Sequence, residues 1–181
     1  MRAVIVYESM FGNTRRIAEA IADGLSQSAV VRTVRVIDAD PNVFEDIDLV
    51  VVGGPTHAWS MSRPSTRRGA PLHVSDPKSG LVLEHGAGSG PGVREWLASI
   101  DQVRAKAAAF DTRISSPVLF TGRASKSISR QLSRHGLSVV APPKSFLVDK
   151  KSHLLPGELE RARAWGAGLA TQVGRLGTLS A

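Results

Sequence analysis

Ser9-Met10-Phe11-Gly12-Asn13-Thr14 joins an apolar stretch, Ala3 to Tyr7, to a stretch with helical spacing, Arg15 to Leu25. A glycine-containing turn that opens a helix leaves backbone N–H groups without acceptors. Together with the partial positive charge of the helix N-terminus, these suit a phosphate. The hydroxyls of Ser9 and Thr14 and the amide of Asn13 add side-chain donors. The same residues also suit a plain strand-to-helix turn capped by Asn13.

Other side chains with chemical potential are scattered. His57 lies in Gly53-Gly54-Pro55-Thr56-His57-Ala58-Trp59, directly after an apolar run; it suits either a ligand donor or a structural hydrogen bond. His73 and His85, with Asp76 and Glu84, have no spacing typical of metal ligands, so no metal is expected. Asp111 and Arg113 suit a surface ion pair or a polar ligand contact. Glu8, next to a phosphate site, is expected to turn away toward Arg15 or Arg16.

Alternating strands and helices must position these groups. Ala3 to Tyr7 and Leu49 to Val52 are continuous apolar runs, as in parallel strands covered on both faces. Val30 to Ile37 interleaves Arg32, Thr33 and Arg35 with valines and reads as a marginal strand. Thr14, Ile17, Ala18, Ile21, Ala22 and Leu25 form one helical stripe. Further along, Val93 to Ile100 reads as helix, Lys106 to Phe110 as strand, and Ser125 to Arg134 as a basic helix ended by Gly136. Leu137 to Ala141 reads as strand, stopped by Pro142-Pro143, and Phe146 to Val148 is another apolar segment. Pro156-Gly157-Glu158 opens a last helix with Leu159, Ala162, Trp165, Ala167 and Leu169 as its apolar contacts. Five strands alternating with helices imply a doubly wound α/β sheet.

The stretch from Arg63 to Gly92 breaks this rhythm with Pro64, Pro71, Pro77 and Pro91 and with Gly80, Gly86, Gly88, Gly90 and Gly92, and reads as a lid or mobile insertion. Its Gly86 to Gly92 run lacks the lysine of a P-loop. One domain over residues 1–174, with the insertion at about 63–92 and a tail at 175–181, accounts for the 181 residues. There is no cysteine, which removes disulfides and thiolate chemistry. The apolar runs are strand-sized and Met1-Arg2 leads straight into one, so a soluble cytoplasmic protein without membrane insertion is expected. Arginine and alanine usage suggests a bacterial source. The net charge of +7 is spread along the chain with a single Tyr and no reader motif, which argues against nucleic acid and leaves acidic proteins or anionic cofactors as partners.

The strand-terminal Ser9-Met10-Phe11-Gly12-Asn13-Thr14 resembles the phosphate loop of the flavodoxin family, in which Ser/Thr, any residue, Thr, Gly, Asn and Thr follow one another. Phe11 departs from it, replacing a hydroxyl. The resemblance runs from Arg2 to about Val173 apart from the insertion. It implies a five-stranded parallel sheet of order 2-1-3-4-5 with helices on both faces, and FMN held by three loops at the C-terminal edge of the strands. Ser9, Met10, Phe11, Gly12, Asn13 and Thr14 would hold the phosphate. Pro55, Thr56, His57, Ala58 and Trp59 would border the ring, with Trp59 stacking on it. Phe110, Asp111 and Thr112 stand where the third loop belongs. Many members have a tyrosine there and this chain has none, so either Phe110 or the insertion covers that ring face, or the face is open.

The function implied is electron transfer through non-covalently bound FMN, with a redox partner protein. An open ring face would suit an NAD(P)H-dependent FMN or quinone reductase, and Phe11 leaves room for an interaction module that has lost FMN. Lys126, Arg130 and Arg134 line one face of the basic helix. With a net charge of +7, a bound flavin should have a two-electron potential less negative than in acidic members of the family. Nothing in the sequence fixes the oligomeric state.

Overall fold

Ala3, Ile5 and Tyr7 face one side of the first strand and Val4 and Val6 the other, and all five are buried. A strand apolar on both faces needs helices above and below it. The computed structural model, which describes residues 1–40, 43–57, 59–69, 81–88 and 90–178, has this arrangement. The strands are β1 (Arg2–Tyr7), β2 (Val30–Arg35), β3 (Leu49–His57), β4 (Ser60–Met61), β5 (Lys106–Ile114), β6 (Ser138–Val139) and β7 (Lys144–Val148). The helices are α1 (Asn13–Leu25), α2 (Pro64–Arg68), α3 (Val93–Ser99), α4 (Val118–Thr121), α5 (Ala124–Arg134) and α6 (Glu158–Thr178).

The strands are ordered β2-β1-β3-β5, and both β6 and β7 lie beyond β5. β6 runs along Lys106 and Ala107, and β7 along Phe110 to Ile114, all parallel. Together they fill one position, so the expected order 2-1-3-4-5 is observed with its last strand in two pieces. Pro142 and Pro143 lack the N–H groups that a ladder requires, which explains the break. β2 is the edge, and its mixed exposure accounts for its interleaved arginines.

One core lies between the sheet and α1 with α6, built on Ile17, Ile21, Phe110, Phe146 and Leu169. The other lies on the opposite face, with Trp96, Leu97, Ile128 and Leu132 packed against the valines. Helices α1 and α6 approach closely: a Cβ on Gly24 would lie 2.0 Å from the Arg163 carbonyl oxygen, and one on Gly166 would lie 2.3 Å from that of Ile21. Lys126, Arg130 and Arg134 are exposed on α5, as its periodicity predicts.

Some details differ from the sequence reading. β5 continues four residues past Phe110, to Ile114. The last helix runs to Thr178, into the segment expected to be a tail. Ala167 is exposed, and the buried position beside α1 belongs to Gly166, because only a residue without a side chain fits so near the α1 backbone.

Candidate functional site

The C-terminal ends of β1, β3 and β5 meet along one edge. At the first, Gly12 takes the left-handed conformation, φ 84°, and α1 starts at Asn13. The Arg16 N–H bonds the Gly12 carbonyl at 3.0 Å, so Asn13, Thr14 and Arg15 have N–H groups with no helical acceptor. No side chain caps the helix. The Ser9 hydroxyl oxygen is buried with no hydrogen-bond partner among the described residues. Met10 is buried and Phe11 half-buried. The other two polar side chains have structural uses: the Asn13 amide donates to the Ser152 carbonyl, tying the loop to the turn after β7. Thr14 Oγ1 lies 2.8 Å from Thr112 Oγ1, within hydrogen-bond distance.

β3 ends in a tight hairpin that pairs Thr56 with Met61 and His57 with Ser60. Pro55 pairs with Thr112 of β5. The Thr56 hydroxyl accepts the Ala124 N–H at 2.9 Å, anchoring the hairpin to the start of α5. Trp59 sits at the tip with φ 69°, a left-handed conformation that costs a bulky residue about 1–2 kcal/mol. Its side chain is 64% exposed. Ala58 lies outside the described residues.

The third loop is displaced from its expected place. Phe110, Asp111 and Thr112 are inside β5 and buried, not at its end. Phe110 lies in the core, 6.2 Å from the Phe146 ring and 6.4 Å from that of Trp165, because β5 turns its side chain toward α6. It therefore covers no ligand face. Asp111 is fully buried and accepts the Ser125 N–H at 2.7 Å. Burial raises its pKa, and the bonds from Ser125 only partly oppose this. Asp111 and Arg113 form no surface ion pair: the Arg113 guanidinium donates to the Ser116 carbonyl at 2.8 Å and to Thr121 Oγ1 at 3.2 Å. The loop after β5 is Ser115 to Gly122, and it brings an aromatic residue that sequence reading passed over. Phe120 is 70% exposed and Leu119 83%. Gly122 forms an isolated bridge with Trp59, so the two exposed aromatic loops are neighbours.

Glu8 turns away from the loop as expected, but not toward Arg15 or Arg16. Its carboxylate accepts the Ser62 hydroxyl and, at 2.9 Å, the Val93 N–H. Arg67, 4% exposed, donates to Ser62 at 2.9 Å and pairs with Glu95 at 2.9 Å. This buried network links the end of β1 to α2 and α3. Arg15 instead pairs with Glu19 at 2.9 Å and with Glu84, from the insertion, at 2.6 Å. Burial and the nearby Glu84 and Glu19 raise the Tyr7 pKa. A small cleft opens beside Ser9, lined by Tyr7, Glu8, Arg35, Ile37 and Arg67. It lies on the β2 side of the loop, away from Trp59. Among the described residues no three acidic or histidine side chains converge as a metal site. His73 and Asp76 lie outside those residues. No described helix is long and apolar enough to cross a membrane.

The family model of the flavodoxin domain matches residues 4–65. No curated protein matches the chain in sequence. Among solved structures, a flavodoxin from the domain Archaea aligns with a TM-score of 0.65 at 21% identity, covering 96% of this chain and 99% of its own. Oxidised flavodoxin 1 from Bacillus cereus aligns with a TM-score of 0.65 at 18% identity, covering 94% and 98%. Rubredoxin oxygen:oxidoreductase from Desulfovibrio gigas aligns at 0.61 and 16% identity, covering 96% of this chain and 36% of that one. The family-model match runs from β1 to the start of α2, and over nearly the whole chain the solved structures show the flavodoxin fold.

Proposed function

We propose that the chain binds FMN non-covalently and passes electrons to a partner protein. The observation that carries this reading is the start of α1: a left-handed Gly12, N–H groups with no helical acceptor, no side-chain cap, and a buried Ser9 hydroxyl with no partner among the described residues. Such a turn is chemically matched to a phosphate. Phe11 removes one hydroxyl from the family pattern, and the orphaned Ser9 hydroxyl remains to donate. Trp59 and Phe120, exposed on adjoining loops, offer flat apolar faces for a ring system. The backbone of Pro55 to His57, fixed by β5 and α5, offers polar edges to orient it.

When bound, FMN supplies the redox chemistry. The chain's share is to grip the phosphate at α1, to orient the ring between aromatic loops and to keep water from its faces. Phe120 stands in the loop where an aromatic residue was missing from the sequence reading, which favours a carrier over a reductase with an open face. Positive residues without a single acid from Thr112 to Val148 favour a partner with acidic groups around its docking surface.

Titration of FMN with the purified chain tests the proposal. Quenching of flavin fluorescence that saturates at one equivalent is expected, with a yellow protein. No quenching and a colourless protein would leave the interaction-module reading. Steady oxidation of NADPH by the loaded protein would favour the reductase.

A further inference from the structure

Glu84 belongs to the insertion, yet it sits on the phosphate loop. Its backbone N–H donates to the Met10 carbonyl at 2.8 Å, fastening the two segments together. Its carboxylate is 2.6 Å from Arg15 Nε and only 17% exposed. A Cβ placed on Gly12 would lie 3.6 Å from Glu84 Oε1 and 3.7 Å from Arg15 Nη2, so both groups stand against the glycine that opens α1. The turn that follows Glu84 closes with the Ala87 N–H on the Glu84 carbonyl, and Arg35 donates to the His85 carbonyl, which holds the segment from its other side.

We infer that Glu84 is a specificity-determining residue of this loop, setting how strongly it accepts a dianion; the inference rests on the FMN reading above. Arg15 answers two carboxylates, Glu84 and Glu19, and brings no uncompensated positive charge to the turn. A carboxylate beside a helix N-terminus is itself in a favourable field, so Glu84 takes an anion's place there. A phosphoryl group arriving at Gly12 meets a like charge in a partly buried setting, where screening is weak. A flavin without a phosphate avoids that repulsion. The residue thus discriminates by charge at the phosphate end and leaves recognition of the ring to Trp59 and Phe120.

The test compares the full chain with its E84Q variant against three probes: FMN, riboflavin and inorganic phosphate. E84Q is expected to bind FMN about tenfold more tightly or better, with riboflavin affinity unchanged within about twofold. It should also gain more thermal stability from millimolar phosphate than the parent chain does. Equal FMN affinities would overturn the inference, and weaker binding by E84Q would overturn it in favour of Glu84 as a support for Arg15. The phosphate arm reads the loop without flavin. If neither protein binds FMN or riboflavin, the FMN reading falls, whereas a larger phosphate gain in E84Q still supports the role of Glu84 and an equal gain or none overturns it.

Discussion

The Ser9 hydroxyl is buried without a partner among the described residues, an arrangement that costs roughly 1–3 kcal/mol unless a ligand completes it. Ser9→Ala should therefore leave the flavin-free protein as stable as before or slightly more so, while weakening FMN binding about tenfold. Urea unfolding without flavin and fluorescence titration with it check the two halves, and a stability loss with unchanged affinity would make Ser9 structural. Asp111 makes the opposite kind of statement. It is fully buried, and its folded pKa is raised above the ordinary value of 3.8 by burial. For an acid whose folded pKa is raised, the stabilising contribution is complete below the unfolded pKa and is lost as pH rises through the folded one. Asp111→Asn keeps an oxygen for the Ser125 N–H and removes that loss. Stability of the variant relative to the parent should rise as pH increases above the ordinary carboxylate value of 3.8, by at most ~1.4 kcal/mol per pH unit, in denaturant titrations at successive pH values. A flat difference would mean that the carboxyl does not titrate there.

At the level of elements, runs of like character were legible and chain breaks were less so. The both-faces-apolar patterns of β1 and β3 and the stripe of α1 specified their places, because burial dictates residue type there. The end of β5 was hidden: Asp111, Thr112 and Arg113 look like a loop, yet the first two are buried and hydrogen-bonded to α5 and α1, contacts that no local pattern encodes. That error moved the third loop by several residues and concealed Phe120. The start of α1 was readable as a glycine-containing turn that opens a helix because its chemistry is local. Glu84 was not, since its bond to Met10 closes over an insertion of irregular composition. Glycines in helices carried a further signal. Gly→Ala inside a helix ordinarily stabilises by up to about 1 kcal/mol. At Gly24 the new Cβ would collide with the Arg163 carbonyl oxygen, so Gly24→Ala should instead destabilise by ~1–3 kcal/mol as α1 and α6 are pushed apart. A lowered urea midpoint at unchanged slope is the expected result, and a raised midpoint would mean that the two helices separate without cost.

Across the whole molecule, charge is distributed unevenly along the sheet. Residues 1–48, which build β1, α1 and β2, contain eight acids against five arginines. Residues 112–148, which carry the loop with Phe120, the helix α5 and both pieces of the last strand position, contain Arg113, Arg123, Lys126, Arg130, Arg134 and Lys144 and no acid. Arg113 feels its like-charged neighbours Arg123 and Arg161 and, above all, its burial, both of which lower its pKa. The loop expected to flank the ring is thus built on a cluster of cations, and reduction adds negative charge to a bound flavin, which such a cluster favours. The two-electron potential of the FMN-loaded protein should be less negative than that of an acidic flavodoxin measured beside it. Lys126, Arg130 and Arg134 are exposed to solvent, so the gap should narrow between about 10 mM and 1 M salt, as the screening length falls from ~30 Å to ~3 Å. Replacing Arg123 and Lys126 together by glutamine should lower the potential at low salt and leave it little changed at high salt. Potentiometric titrations of parent and variant under both conditions decide the matter: a potential as negative as that of the acidic protein, or one that ignores salt, would mean that contacts at the ring, rather than the charge of the surrounding molecule, set it.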